Sequence, residues 1–476
     1  MSEEKIIYER DESFRDSIAT VDESGKRRWI FAKKPEGRLF KWRTYLSWFY
    51  LAFFFAAPWV KIGGEPLLML NVMERKFVIF GQIFWPQDFH LFALLFITSV
   101  VFIILFSVVY GRIFCGWVCP QTIFMEMVFR KIEYWLEGDA PKQKKLDKQD
   151  WNWEKIRKRG LKYVVFYVVS VLIAHTFLAY LVGSDELLRM QIEEPMANLG
   201  TLALLLIFSA VFYFVFAYMR EQVCIAVCPY GRLQGVLLDR NSVVVAYDYV
   251  RGEKRAPFKG KREIRQEVGK GDCIDCHKCV DVCPTGIDIR NGTQLECVSC
   301  TACIDACDSI MDKLGFEQGL IRYASEEQIA NRSKFEFTAR MKAYTVVLSL
   351  LVVFLSTLFF LRTEVETSIL RTKGPLYQVV DENHISNLYN LKVVNKTNED
   401  LQLDLKLLNV DGEIKLIGQQ ELIIKSQEKR EGAIFIIVPN EFLEGMDTEI
   451  EVGVYNGEEE IDVVTTNFLG PANMKR

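Results

Sequence analysis

The chain has 476 residues, half of them hydrophobic, with 34 Phe and a formal net charge of −4. Its charged fraction of 25% is that of an ordinary soluble protein, so the apolar residues must be segregated into runs rather than spread evenly. No nucleic-acid partner is expected, and the placement of all 12 cysteines before residue 308 excludes a disulfide-stapled C-terminal region.

Residues 1–43 are strongly charged and do not read as a signal peptide. Five apolar runs follow, at 44–60, 89–111, 163–183, 199–219 and 343–361. About 20 apolar residues cross a hydrocarbon core, so these predict five transmembrane helices. The first run is short and also fits a buried core helix. Lys and Arg number 11 in residues 1–43, three in 61–88, 12 in 112–162 and one in 184–198. Because short basic loops stay in the cytoplasm, the alternation predicts a cytoplasmic N-terminus, a cytoplasmic segment 220–342 and an external tail. The basic cluster 142–148 fits this role in topology.

Two of the spans end in related motifs, CGWVCPQ from Cys115 and CIAVCPYG from Cys224. Each pair of spans plus its Cys-x-x-x-Cys-Pro motif reads as one half of a parallel internal repeat within residues 44–240. Cysteines four apart share a helix face, and proline is at home in the first turn of a helix. Each motif therefore predicts the end of one helix and the start of another. After Pro120, the residues Ile123, Met127, Val128 and Ile132 mark an amphipathic interfacial helix, and a shorter helix follows Pro229. Cys119 and Cys228 would sit near helix N-termini, which favour thiolate. Four soft sulfur ligands, Cys115, Cys119, Cys224 and Cys228, suit Cu(I) or dithiol–disulfide cycling. The bland alternative is four small residues packing two bends.

The remaining eight cysteines lie in a predicted cytoplasmic domain, residues 241–342. Cys273, Cys276, Cys279 and Cys283 form C-x-x-C-x-x-C-x-x-x-C-P, and Cys297, Cys300, Cys303 and Cys307 repeat the spacing. This is the two-cluster ferredoxin pattern, in which the fourth cysteine serves the other cluster. It predicts one 4Fe-4S cluster on Cys273, Cys276, Cys279 and Cys307, and a second on Cys297, Cys300, Cys303 and Cys283. Structural zinc is the alternative. Asp308 stands where such motifs carry proline, and His277 reads as a solvated loop residue. The basic run 251–270 suits anionic membrane lipid, an acidic electron donor or a solvated linker.

Beyond the fifth span, 343–361, the tail 362–476 alternates at Leu401, Leu403, Leu405 and Leu407, then at Ile450, Val452 and Val454, the period of half-buried strands. Asn456-Gly457 signals a hairpin. A tail of this length fits an immunoglobulin-like β-sandwich. It has no cysteine and only His384 among histidines, and so reads as a docking module. His90 and His175 lie in or beside spans, where haem ligation is weighed against simple packing.

The order of these parts, with the segment RKFVIFGQIFWPQDFHL from Arg75, resembles the CcoG/FixG/RdxA family of cytochrome c oxidase accessory proteins. The resemblance implies a multi-pass protein of the bacterial inner membrane with a periplasmic C-terminal domain. It implies a part in assembling the cbb-type oxidase by reducing Cu(II) to Cu(I). Its partners would be oxidase subunits or other assembly factors and a cytoplasmic electron donor, with a homo-oligomer left open. Cys115, Cys119, Cys224 and Cys228 match the family's copper-associated cysteines, and the other eight its cluster ligands. Two further readings stay open: a quinol-oxidising electron-transfer protein similar to NapH, and a non-enzymatic holder of Cu(I).

Overall fold

The computed structural model describes residues 19–471 apart from positions 23, 74–75, 85–88, 194–195, 259, 261–264, 266, 268, 334–337, 362–364, 398, 419–420, 427 and 444. Two compact bodies divide the chain. One comprises Met1–Val60, Leu68–Glu74 and Phe89–Leu355, the other Lys61–Leu67, Arg75–Asp88 and Ser356–Arg476.

Helix α1 (Arg38–Ala56) opens the first body, followed by α2 (Phe89–Tyr110) and the short α3 (Ile113–Trp117). Helix α4 starts at Pro120, passes through a π-helical stretch Ile123–Phe129 and ends in Arg130–Leu136. Next come α5 (Ala140–Lys148), α6 (Trp153–Val182), α7 (Ser184–Ile192), α8 (Leu199–Phe214, continued as a π-helix to Met219) and α9 (Pro229–Leu237). Helix α10 (Lys278–Asp281), α11 (Ala302–Leu314) and the paired strands β1 (Val244–Tyr247) and β2 (Ile321–Ala324) build the cysteine-rich part, and α12 (Ala339–Phe360) leads out.

Four stretches are long and apolar enough to cross a membrane: His90–Tyr110, Trp153–Val182, Leu199–Met219 and Met341–Phe359. None of the most apolar window of the last is buried in the protein, as a lipid-facing helix requires. This is a membrane protein. Residues 44–56 of the run 44–60 fall in α1, whose first two turns carry Arg38, Lys41 and Arg43; that charge keeps α1 out of the four. Helix α6 has 30 residues, about 45 Å at 1.5 Å per residue. It thus outruns a hydrocarbon core, and its first turns carry Lys155, Lys158, Arg159 and Lys162.

Where α4, α6 and α8 meet, the interior is aromatic. Phe129 stacks on Phe216 at 4.5 Å and meets Phe166 edge-on at 4.9 Å, while Phe54 of α1 joins through Phe124 at 5.4 Å. Beside this core lies a buried ionic network. Glu133 binds Arg220 at 2.9 Å and Lys162 at 3.4 Å; Lys162 also reaches Glu137 at 2.8 Å, and Arg27 reaches Glu221 at 2.9 Å. The guanidinium groups of Arg27 and Arg220 both lie over the Trp29 ring, each 4.7 Å from its centroid. Burial alone would raise the Glu133 carboxyl, but Arg220, Lys162 and Arg130 hold it below the ordinary carboxylate range.

From Val365 on, the second body forms a two-sheet sandwich. Its strands are β3 (Val365–Arg371), β4 (Gln378–Val379), β5 (His384–Asn395), β6 (Leu401–Leu407), β7 (Glu413–Leu416), β8 (Leu422–Ile424), β9 (Lys429–Pro439), β10 (Asp447–Asn456) and β11 (Glu459–Leu469). One sheet runs β7-β9-β5-β3 with β4 on β5, the other β8-β6-β10-β11. Leu401 and Leu403 of β6 and Ile450, Val452 and Val454 of β10 point into one apolar core with Tyr389 and Phe468, the period of two expected of strands. Asn456-Gly457 begins the β10–β11 turn, with Gly457 at φ 66°, a conformation glycine adopts without steric cost. His384 faces Asp381 through Nδ1 at 2.9 Å on the surface.

Candidate iron–sulfur and thiol site

The two Cys-Pro motifs share one local geometry. Cys119 precedes Pro120 at the start of α4, and Cys228 precedes Pro229 at the start of α9. The amide of Cys119 donates to the Phe114 carbonyl at 3.0 Å, and that of Cys228 to the Val223 carbonyl at 2.8 Å, each reaching five residues back. An arginine just before each motif then crosses to the other half. Arg112 donates to the carbonyls of Gly231 and Leu295, while Arg220 grips Glu133 on α4. Cys115 likewise donates its thiol proton to Oε1 of Gln234 on α9 at 3.4 Å. Burial, followed by the neighbouring cysteines, pushes the thiols of Cys115 and Cys224 up to about 12.

The structure gathers the other eight cysteines around two cavities. Cys273, Cys276, Cys279 and Cys307 line one, together with His277 and Arg290. Cys283, Cys297, Cys300 and Cys303 line the second, which Cys279 also touches. Among the described residues no three Cys, His, Asp or Glu side chains converge on a point fit for one metal ion. Rings of thiols around an apolar cavity instead suit a cubane cluster, whose iron atoms are held one per cysteine. Thr301, at φ 64°, leads into α11, whose 13 residues carry Cys303 and Cys307. Helix α10, in contrast, has four residues and stops before Cys283-Pro284. Asp308 explains the difference: proline there would break α11, whereas Asp308 accepts the Gly319 amide at 2.9 Å.

The motifs and the cysteine loops are in contact. Cys115 and Cys224 pack on a buried cluster of Val282, Val298, Cys300 and Ala302. Gly116 allows this, since a Cβ there would lie 2.3 Å from the Ser299 carbonyl oxygen. Arg43 ties the same parts together, donating from Nε to the Gly116 carbonyl and from Nη1 to the Cys300 carbonyl, both at 2.8 Å. Burial pushes the Cys300 thiol up to about 12, and Arg43 pulls it the other way. Trp117 donates to the Tyr323 hydroxyl at 2.8 Å, which donates to the Ser299 carbonyl at 3.2 Å. Asp305 accepts the Leu39 and Phe40 amides at 3.1 and 2.7 Å, capping α1 from between two cluster-loop cysteines. Cys224 also lines an open cavity of about 650 Å³ with Arg112, Asp239, Glu296 and Glu326.

Arg43, Gly116, Asp305 and Tyr323 were not singled out by the sequence. The one signal was a glycine inside the first motif where the second has Ile225. The basic run 251–270 lies partly outside the described residues. Within it, Arg265 donates to the carbonyls of Ala256 and Cys273 at 2.7 and 3.0 Å, so this part of the run is a strut for the first loop. His277 is exposed, with Nδ1 2.9 Å from Arg290. His175 stacks on Trp59 at 6.0 Å with Gln191 3.4 Å from Nδ1, and His90 lies at the start of α2; nothing among the described residues pairs the two as ligands.

Three family models match the chain: a 4Fe-4S binding domain over residues 92–142, a 4Fe-4S dicluster domain over 219–326, and the IG-like fold at the C-terminus of FixG over 355–471. Protein RdxA of Cereibacter sphaeroides is 34% identical over 397 residues, 80% of this chain and 82% of its own. Nitrogen fixation protein FixG of Rhizobium meliloti is 36% identical over 309 residues, 63% of this chain and 58% of its own. The ferredoxin-type protein NapH of Escherichia coli is 26% identical over 212 residues, 41% of this chain and 67% of its own. Apolar spans, thiol-lined cavities and a FixG-type sandwich thus come together in one chain, which belongs to the RdxA/FixG family of membrane iron–sulfur redox proteins.

Proposed function

We propose that the protein is a membrane oxidoreductase that passes electrons from its cytoplasmic face to Cu(II), yielding Cu(I) for cytochrome c oxidase assembly. The observation that carries this reading is the packing of Cys115 and Cys224 against the loop of Val298 and Cys300. Soft thiols favour Cu(I) over Cu(II), so a copper ion bound there is biased toward its reduced state. Cys273, Cys276, Cys279 and Cys307 would hold one 4Fe-4S cluster, and Cys283, Cys297, Cys300 and Cys303 a second. Bound there, these groups would supply one-electron redox chemistry, matching the single electron that each Cu(II) takes. Gly116 and Arg43 keep the first motif against the Cys300 loop, and the cavity beside Cys224 gives substrate a way in.

Five spans, with the N-terminus inside and the sandwich outside, agree with two observations. The chain before and at the start of α1 binds the cysteine-rich part, Lys33 N donating to Asp281 O at 2.7 Å and the first-turn amides of Leu39 and Phe40 to Asp305. Residues just after α1, Lys61–Leu67, belong to the body that contains the sandwich. The sandwich would dock oxidase subunits or another assembly factor.

The test is anaerobic. Dithionite-reduced, desalted protein receives Cu(II), and cluster reoxidation is followed optically beside Cu(I) capture by a chelator. Matched loss of cluster electrons and gain of Cu(I), lost when Cys115, Cys119, Cys224 and Cys228 are all changed to Ser, is the expected result. Clusters that stay reduced would move the reading to quinol chemistry, which the likeness to NapH favours.

A further inference from the structure

A further cavity, of about 400 Å³, borders Cys300, within the usual size range of small-molecule sites. Four cations border it, Lys34, Arg43, Arg130 and Lys131, against two acids, Glu126 and Asp139. Arg43 is committed to two carbonyls. Arg130 is not: its side chain is 2% exposed, and neither Nε nor its two terminal nitrogens makes a hydrogen bond among the described residues. Glu126 and Glu221 pair with it ionically at 3.5 and 3.9 Å, and with Glu133 they favour its charged form, but none of them takes a hydrogen bond from its fork. Lys131 lies 3.5 Å from Thr44 Oγ1. Burial first, then Arg43 and Lys34, lower its ammonium pKa.

Buried donors without acceptors are costly, and a planar guanidinium matches phosphate or carboxylate oxygens in pairs. The rest of the wall is apolar and aromatic. Phe40, Tyr134 and Trp135 border the cavity, and Cys300 forms part of it. A ligand that satisfies both halves carries an oxyanion and a flat ring. Beside a one-electron centre, the ring must also release electrons singly. A nicotinamide, which transfers hydride, does not, and a quinone lacks the anionic group, whereas a flavin mononucleotide meets all three demands.

We propose that this cavity is the reductant site, binding a phosphate-bearing flavin with its phosphate on Arg130 and Lys131 and its ring among Phe40, Tyr134 and Trp135. The electron direction rests on the proposed function, whereas the binding does not. A bound flavin hydroquinone becomes oxidised flavin by giving up two electrons, one at a time, toward the Cys300 side, and two protons to solvent.

The test uses full-length, cluster-loaded protein in detergent, titrated with FMN and with riboflavin, and read by flavin fluorescence and Trp quenching. FMN is expected to bind at least tenfold more tightly than riboflavin. Lys131→Met should weaken FMN at least fivefold and leave riboflavin and the iron content unchanged; Arg130→Met should weaken it further if it retains iron. Trp135→Ala, on an exposed rim, should weaken both flavins. Equal affinity for FMN and riboflavin, or no flavin binding, overturns the proposal. So does a site filled by phosphatidylglycerol, seen as FMN binding that appears only after delipidation and is abolished by adding that lipid back. Tight FMN binding with no copper reduction would sink the proposed function and leave this site standing.

Discussion

The two Cys-Pro motifs share a backbone and differ in their surroundings. In the first, the residue after the leading cysteine is Gly116, pressed on the Ser299 carbonyl; in the second it is Ile225, which lines an open cavity. The arginines before them differ in the same sense. Arg112 serves neutral carbonyls, and Arg220 a buried carboxylate. Both copies of the element thus pack on the cysteine loops through their leading cysteines, and the second also borders an open cavity. The repeat supplies four thiols, and its two copies give them different surroundings.

The largest effect that could break this comparison is steric. Gly116→Val should dislodge the first motif from the Ser299 loop and lower Cu(II) reduction at least tenfold, read by chelated Cu(I) at equal protein. Ile225→Ala, the matching change in the second motif, should keep full iron content. If both behave alike, the asymmetry is incidental. Next comes charge. Arg220→Met takes from buried Glu133 its nearest cation and leaves Lys162 at 3.4 Å, so the loss should fall below the about 3–5 kcal/mol of a fully broken buried pair; thermal unfolding would show it. Arg112→Met should cost less, because the groups it abandons are neutral.

The same contrast has a pH signature. The Glu133 carboxyl has a folded-state pKa below the ordinary value, so its contribution is complete above the unfolded pKa of about 4.3. That contribution is lost as pH falls through the depressed folded value. Unfolding temperature followed from pH 7 to 3 should drop less steeply in Glu133→Gln, and an unchanged slope would refute the assignment. The smallest effect is Tyr323→Phe, which removes the hydroxyl between Trp117 and Ser299 and should cost about 1 kcal/mol.

What the sequence revealed follows from range. Cysteine spacing was readable because ligation fixes it locally, and the alternation of Leu401–Leu407 because strand period is local too. The start of α4 and α9 was readable from one proline each. Arg43, Asp305 and Gly116 were not, because their partners lie far along the chain: Arg43 reaches Cys300 across 257 positions. No local pattern encodes such a pairing. Helix α1 was ambiguous for a related reason. Its basic first turns weaken its apolar signal, yet Arg43 is buried there on backbone carbonyls. Asp308 looked like a lost proline and proved to be what lets α11 continue.

Asp305 capping α1 across 266 positions also sets a timetable. At about 5–20 residues per second, a ribosome needs on the order of ten to fifty seconds between making α1 and making its cap. During that wait the helix start, with Arg43, has neither the Asp305 carboxylate nor the Cys300 carbonyl to bind. Nascent chains stalled before residue 300 should therefore be open to proteases or chaperones near residues 37–43, and completion of the cysteine loops would close that window.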